Sequence, residues 1–516
     1  MSYLLGIDVG TSGTKALMIR SGDGAVVASS TRTYPLYTPK PLWAEQNPAD
    51  WWEATCGAIG DVLSKSGVKP QDVKGMGLSG QMHGAVFLDE NNSVIRPAIL
   101  WCDQRTGAEC DWITETVGRE KVIELTSNPV LTGFTAGKII WLRNNEPENF
   151  ARVKKVLLPK DYIRLLLTGE YATEVSDASG TSLFNVRKRQ WADEVLDAID
   201  IPRDWMPAVY ESPEVSGKIN SEAAAATGLA EGMPVVGGGG DQAAGAVGNG
   251  IVEPGIVSST VGTSGVVFAF AEKPVVDPLL RVHTFCHAVP DKWHVMGVML
   301  SAGGSLRWYR DTFCEMEMAV ANSYDGEPYE MMDREAKAAP VGSEGLIFLP
   351  YLTGERTPYP DPHARGVFFG ITLRHGRAHF VRSVLEGVAY GLKDSFEILN
   401  EMKVPMNQVR SSGGGARSAV WRQIQADVTG LEHVMINVDE GPAYGVALLA
   451  GVGTGAYPSV EQACRSTIKV ELSVKPDKDA VAAYEPYYRI YRSLYPALKD
   501  RFAETSEAVN TQVGGS

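Results

Sequence analysis

Hydrophobic residues run almost without a break from Tyr3 to Val9, the pattern of a strand covered on both faces. Gly10-Thr11-Ser12-Gly13 interrupts the run as a turn. Thr14–Arg20 and Ala25–Thr33 read as two further strands, joined by the hairpin turn Ser21-Gly22-Asp23-Gly24. Helical signals follow. Asn47 stands as N-cap before Pro48 at the first helical position and Asp50 in the first turn, which predicts a helix to about Ser66 and then a strand near Lys74–Leu78. The predicted order is β-β-β-α-β.

A similar order begins again near the middle of the chain. Gly255–Thr260 reads as a strand, Val261–Gly265 as a turn and Val266–Ala271 as a strand. Strands near Val282–Val289 and His294–Leu300 precede a helix opened by Ser301-Ala302-Gly303-Gly304-Ser305. A strand near Gln408–Ser412 runs into Gly413-Gly414-Gly415, and a helix extends from about Ser418 to Thr429. Tyr487–Phe502 reads as a helix, and the polar, glycine-ended Thr505–Ser516 as a frayed tail. The same pentapeptide, VGTSG, forms both predicted turns, at Val9–Gly13 and at Val261–Gly265. A chain of 516 residues is too long for one ordinary core, so the repeat predicts two domains meeting near Gly248–Pro254.

Composition narrows the function. The chain is 44% hydrophobic and 21% charged, as a globular protein is, and its net charge of −14 argues against nucleic acid or an anionic membrane as the main partner. A phosphorylated ligand stays open, because backbone N–H groups bind phosphate inside acidic proteins. No run of about 18 apolar residues predicts a membrane span, and MSYLLGIDVG lacks a basic leader. The six cysteines form no Cys-x-x-Cys pair, which predicts reduced thiols and a cytoplasmic protein without a zinc site or disulfide framework.

A turn of Gly, Thr and Ser lets N–H groups and hydroxyls converge on one point, as a phosphate cradle requires; a plain hairpin turn needs no more than the same residues. Two copies in similar contexts favour two lobes that close on a polyphosphate. Asp8 precedes the first copy and Thr260 the second. A carboxylate beside a phosphate cradle calls for a cation, so Asp8 points to a metal–nucleotide complex. Neither turn continues into Gly-Lys-Ser/Thr, which excludes a Walker A loop. Gly237–Gly240 leads into Asp241, whose carboxylate can accept the proton of an attacking hydroxyl or cap the helix that begins at Gln242. Gly238-x-Gly240-x-x-Ala243 also fits a dinucleotide fingerprint, weakly, and places Asp241 where a pyrophosphate would lie. No Gly-x-Ser-x-Gly supports a serine hydrolase.

Asp8-Val-Gly-Thr-Ser-Gly-Thr, the run GGGGDQAAGA at 237–246, the second VGTSG and the run SSGGGARS at 411–418 together resemble the FGGY carbohydrate kinases, of the actin/hexokinase/Hsp70 ATPase superfamily. Gly133–Trp141 and Gly366–Gly370 are similar to further signatures of the family. Within it, Gln81-Met82-His83-Gly84, Ile99–Arg105, Leu157–Tyr162, Ser176–Thr181 and Leu349–Pro358 look most like the bacterial xylulokinases. The resemblance implies an α/β fold of two homologous RNase H-like domains with an interdomain cleft: 1–248 for the sugar and 249–516 for the nucleotide. It implies ATP-dependent phosphorylation of a small sugar, D-xylulose first and another ketopentose, polyol or aldonate otherwise. Asp241 would be the general base. Met82 and His83 would line the sugar site, with Trp101, Asp103 and Gln242 nearby. Asp8 would organise Mg²⁺; Thr11, Ser12, Gly262 and Thr263 would hold phosphates; Gly414, Gly415 and Arg417 would lie near the adenosine. Gln242 departs from the Asn that many xylulokinases carry there. Family members are often dimers, which implies a homodimer without identifying its interface. An ATP-gated binding or filament protein is the alternative from another class; Gln81–Gly84 and Trp101–Arg105 look built for a small ligand and speak against it.

Overall fold

A computed structural model describes residues 1–323 and 326–513. In the first half, β1 (Tyr3–Val9) and β2 (Gly13–Arg20) flank the first VGTSG turn, and β3 (Val26–Thr33) forms the polar sheet edge. Helix α1 (Pro48–Ser66) starts as its cap predicts: the Asn47 side chain accepts the Ala49 N–H at 3.2 Å, and Gly67 ends the helix at φ 63°. Trp51, Ala54, Ala58, Ile59 and Val62 form its buried stripe. Next come β4 (Val73–Gly80), α2 (Thr135–Asn145), α3 (Pro159–Thr168), β5 (Val215–Lys218), β6 (Pro234–Val236) and α4 (Asp241–Gly248). The sheet order is β5-β6-β4-β1-β2-β3. Strand β1 runs antiparallel to β2 and parallel to β4.

The second half repeats this plan. Strands β7 (Gly255–Val261), β8 (Gly265–Ala271), β9 (His283–Cys286) and β10 (Trp293–Met299) precede α5 (Gly303–Phe313) and the long α6 (Arg377–Glu401). Then follow β11 (Met406–Ser412), α7 (Ala419–Thr429), β12 (His433–Ile436), α8 (Gly441–Gly453), β13 (Val470–Val474) and α9 (Lys478–Val513). The sheet order is β9-β10-β8-β7-β11-β12-β13, with β7 antiparallel to β8 and parallel to β11. The corresponding strands of both halves share one pairing pattern, so the repeated pentapeptide marks a repeated α/β lobe.

The expected cut at 248/249 falls at the end of α4, but the lobes do not separate there in space. Helix α8 belongs to the second half and packs on β1 and β4 of the first. Glycine permits the approach: a Cβ on Gly6 would lie 1.8 Å from the Ala443 carbonyl oxygen, and one on Gly77 2.2 Å from that of Val446. Helices α4 and α8 cross just as closely, with a Cβ on Gly445 meeting the Ala244 oxygen at 1.9 Å. One core joins Leu4 and Leu17 to Val247, Phe268, Val446 and Ala450. The crossed helices are therefore the joint between the lobes.

The frayed tail expected from Thr505 needs correction. Helix α9 continues to Val513, after burying Tyr484, Tyr488, Tyr491, Leu494 and Phe502 against the second lobe; residues 514–516 lie outside the described residues. No described helix is long and apolar enough to cross a membrane.

Candidate active site

Three parallel segments of the first sheet end at one edge. Asp8 on β1 pairs with Ser79 on β4, and Gly239-Gly240 pairs with Ser79-Gly80. The carboxyl ends of parallel strands leave a crevice in which ligands bind. Here they deliver Asp8, the Gln81–Gly84 turn and Asp241 to the same place. Asp241 is the first residue of α4, so the reading in which it caps a helix starting at Gln242 is off by one position.

The four glycines before Asp241 are fixed from beneath. Arg164 of α3 is buried and donates to the carbonyls of Val236 at 2.7 Å and Gly237 at 2.6 Å. Ser176 Oγ accepts the Gly240 N–H at 3.1 Å. Gly238 lies at φ 74°, and a Cβ there would sit 1.9 Å from the Leu78 oxygen. Burial pushes the Asp241 carboxyl up to about 7, and the neighbouring Asp8 charge adds to the shift against hydrogen bonding from Gln242. Burial likewise raises Asp8 to about 6, against the pull of the Ser79 hydroxyl and of Lys15, and Oδ1 is buried with no partner at close hydrogen-bond geometry. Two neighbouring carboxyls, both easier to protonate than usual, are the electrostatic setting a divalent cation relieves. Among the described residues no group of three ligating side chains forms a closed metal cage.

His83 sits at φ 69° with its Nδ1 2.6 Å from the Gly180 carbonyl. Only a protonated Nδ1 makes that bond, so Nε2 keeps a lone pair as an acceptor. Burial and the Lys138 charge hold the imidazole well below its ordinary range, which keeps it neutral. The ring stacks on Phe134 at 4.4 Å, and Gly180 leaves room for it: a Cβ there would lie 2.5 Å from His83 Cε1. Met82 is buried against Gly240 in the same way. Trp101 is 39% exposed and donates Nε1–H to Thr11 Oγ1 at 2.9 Å, so part of the indole stays open to solvent. Gln81 and Gln46 hold the turn from below, with Gln46 Nε2 donating to the Thr11 carbonyl at 2.7 Å.

Asp103 does not reach the cleft. It is fully buried, and its oxygens accept the Ala44 N–H at 2.6 Å and a fork of bonds from Arg105. Its expected contact with the sugar is thus corrected to a supporting role: it braces the Trp101–Arg105 segment. Lys138 went unassigned in the sequence, although it falls in the Gly133–Trp141 signature. It is fully buried and donates to the carbonyls of His83 and Gly133, both at 2.7 Å. Its place directly before the apolar run Ile139–Leu142 is the faint signal the sequence holds.

The other expected residues gather on the second lobe. A cavity of about 580 Å³ is lined by Gly262, Thr263, Gly414, Gly415, Arg417 and Trp421. In the turn, Gly262 N–H donates to the Ser264 carbonyl at 2.9 Å, while the N–H groups of Ala302, Gly303 and Gly304 take the carbonyls of Thr263 and Gly262. Among the described residues, the amides of Thr263 and Ser264 donate to nothing. The first copy repeats this: Gly10 N–H donates to the Gly13 carbonyl at 3.1 Å, and the Thr11 and Ser12 amides are unspent. Gly413, at φ 78°, rests on the turn, with a Cβ placed 2.7 Å from the Val261 oxygen. Thr11 and Ser12 do not line the cavity; Thr11 Oγ1 meets Trp101 and Gln81 on the first lobe. The arrangement offers unspent amide donors on both lobes and a half-buried carboxyl, Asp241, on one.

The model of the N-terminal domain of the FGGY family of carbohydrate kinases matches residues 3–248, and that of its C-terminal domain residues 257–454. The xylulose kinase of Escherichia coli (strain K12) is 44% identical over 96% of this chain and 99% of its own. The gluconokinase of Bacillus subtilis (strain 168) is 32% identical over 98% of each. The crystal structure of xylulose kinase from Rhodospirillum rubrum superposes with a TM-score of 0.89 at 30% identity, covering 97% of this chain and 100% of the other.

Proposed function

The chain belongs to the FGGY family of carbohydrate kinases, and we propose that it transfers the γ-phosphoryl group of ATP to D-xylulose, giving D-xylulose 5-phosphate and ADP. The observation that carries the reaction is Asp241: a half-buried carboxyl, raised to about 7 by desolvation, at the meeting point of the sugar-side turn and the lobe joint. Phosphoryl transfer needs the acceptor oxygen and phosphorus in line, water excluded and charge neutralised. Asp241 takes the proton of the attacking hydroxyl. His83 Nε2 accepts a second hydroxyl, Met82 and the exposed part of the Trp101 indole cover the C–H groups, and Gln242 stands beside the base. The unspent amides of Thr263 and Ser264 receive phosphate oxygens, with Gly262 allowing close approach, while those of Thr11 and Ser12 meet the terminal phosphate from the other lobe. Gly414, Gly415 and Arg417 border the space for adenosine.

Mg²⁺ fits this setting: Asp8, whose Oδ1 has no close hydrogen-bond partner, would hold it. When bound it neutralises phosphate charge, and the absence of a side-chain cage among the described residues suits a cation carried in by the nucleotide. The six cysteines are free, which suits the reducing cytoplasm where we place the protein.

An aldonate kinase is the second reading, favoured by the full-length similarity to a gluconokinase. ADP release from Mg²⁺-ATP, measured against D-xylulose, L-xylulose, D-ribulose, L-ribulose, glycerol and gluconate, separates the two. The proposal expects D-xylulose to give the highest kcat/KM. A higher value for gluconate would replace the acceptor and keep the base.

A further inference from the structure

The two phosphate turns are aimed by one device built from different parts. In a planar trans peptide the carbonyl and the N–H point in opposite directions, so a group that holds the carbonyl turns the amide away from itself. In the second lobe the main chain does the holding. Gly303 N–H takes the Gly262 carbonyl at 2.8 Å, and the N–H groups of Ala302 and Gly304 take the Thr263 carbonyl at 2.9 and 3.0 Å. The amides turned away are those of Thr263 and Ser264, the two that stay unspent among the described residues.

In the first lobe the carbonyls of Gly10 and Thr11 stand at the same places in the repeat, and side chains hold them. Tyr34 Oη donates to the Gly10 carbonyl at 2.5 Å, and Gln46 Nε2 donates to that of Thr11 at 2.7 Å. Both peptides are trans, so the N–H groups of Thr11 and Ser12 point away from Tyr34 and Gln46, and these are the unspent amides. The Gln46 amide is fully buried and has one orientation. Trp51 Nε1–H can only donate and meets Gln46 Oε1 at 3.0 Å, so Nε2 faces the carbonyls of Thr11 and Pro35, the latter at 3.2 Å. Gln46 Oε1 also accepts Gln81 Nε2 at 2.9 Å, and Gln81 Oε1 accepts the Thr11 hydroxyl at 3.3 Å. The backbone of Glu45–Gln46 pairs with Ala98–Ile99, just before Trp101. The Gln46 side chain thus spends both its polar atoms on the turn and its supports and keeps none for a ligand.

We propose that Gln46 and Tyr34 are positioning residues for phosphate: they touch no ligand, and they aim the amides of Thr11 and Ser12 at the terminal phosphate of the nucleotide. ADP lacks that phosphate. The two side chains therefore serve the triphosphate and the group in transfer, whereas the second turn, held by main chain, serves ATP and ADP alike. Amides held in place before the reaction cost no reorganisation as charge shifts during transfer. This assignment rests on the phosphotransfer reading of the cleft.

The test compares wild type, Gln46→Met and Tyr34→Phe as full-length enzymes. It measures kcat on D-xylulose and, by calorimetry with Mg²⁺, binding of D-xylulose, of ADP and of β,γ-imido-ATP, whose terminal bond resists hydrolysis. Methionine fills similar space to glutamine without its donors, and phenylalanine removes only the Tyr34 hydroxyl. Misaimed amides in Gln46→Met should lower kcat by about 100-fold. Binding of β,γ-imido-ATP should weaken by about tenfold, since a hydrogen bond to a charged group is lost, while ADP stays within about threefold. Tyr34→Phe should show the same pattern with a loss in kcat of about tenfold, because Gln81 Nε2 remains 3.4 Å from the Gly10 carbonyl. Equal losses for ADP and β,γ-imido-ATP would overturn the proposal, since a general loosening of the fold does not single out the terminal phosphate. A fall in D-xylulose affinity with kcat and the preference for triphosphate unchanged would also overturn it and assign the network to the Gln81–Gly84 turn. If Gln46→Met does not fold, Tyr34→Phe alone decides between these outcomes. A wild type inactive on every sugar overturns the phosphotransfer reading, and the contrast between β,γ-imido-ATP and ADP still decides whether Gln46 and Tyr34 serve a terminal phosphate.

Discussion

Replacing Lys138 by methionine separates the stability of the sugar turn from its function. The ammonium donates to the carbonyls of His83 and Gly133, each at 2.7 Å, from a fully buried position. Methionine fills similar space without donors. The His83 oxygen keeps its bond from Thr135 Oγ1 at 3.1 Å, whereas the Gly133 oxygen loses its partner, at a cost of about 1–3 kcal/mol. A second effect opposes this cost. Burial pushes the Lys138 pKa down from 10.5 to about 7. Between those values the unfolded chain holds a proton that the folded protein has released, so the wild type gains stability as pH rises, by about 1.4 kcal/mol per pH unit. Over the whole window the gain amounts to about 5 kcal/mol, all of it absent below pH 7. Lys138→Met is therefore close to wild type or more stable at pH 6.5, and falls behind it by about 3 kcal/mol between pH 7 and 9. Urea unfolding of both proteins across that range reads the difference. Because the lysine also fixes His83 against Phe134, KM for the sugar should rise by about 10- to 100-fold at pH 7.5 while KM for ATP stays put. A stability difference that does not change with pH would refute the buried, weakly basic ammonium, and equal rises in both KM values would refute its part in the sugar turn.

Asp8→Asn removes the neighbouring charge that raises Asp241, so the acid limb of kcat/KM should move to lower pH, while the Mg²⁺ concentration for half-maximal rate rises. Gly445→Ala forces a Cβ to 1.9 Å from the Ala244 oxygen at the lobe joint and should cost about 2–4 kcal/mol in thermal or urea unfolding. Two lobes joined by crossed helices should close on their ligands, so the radius of gyration from small-angle scattering should fall when sugar and nucleotide are both bound, and superimposable curves would count against closure.

The turns and their strands were legible because they are local. The continuous apolar run Tyr3–Val9, the cap at Asn47 and the repeated VGTSG each state their structure within a few residues. The lobe joint was not legible, because the reason for Gly6 and Gly77 lies in α8, nearly the whole chain away. Asp103 misled for a related reason: a carboxylate beside an exposed tryptophan reads as facing the ligand, and its true partners, Ala44 and Arg105, emerge only when the chain folds back. Lys138 was overlooked because a lysine in a helix ordinarily faces water, and nothing local reveals the two carbonyls that draw it inward. The tail beyond Thr505 carries few apolar residues, yet it continues a helix already anchored by a row of tyrosines.

The account stands or falls on Asp241 as the base. The most direct measurement is kcat/KM for D-xylulose from pH 5.5 to 9, for wild type and for Asp241→Asn. A base must be ionised to accept a proton, so a carboxyl raised to about 7 predicts activity that falls about tenfold per unit as pH drops below 7. In Asp241→Asn the rate should fall by more than about 1,000-fold and lose that dependence on pH. An Asp241→Asn enzyme within about tenfold of wild type, or one that keeps the same acid limb, would contradict the central claim.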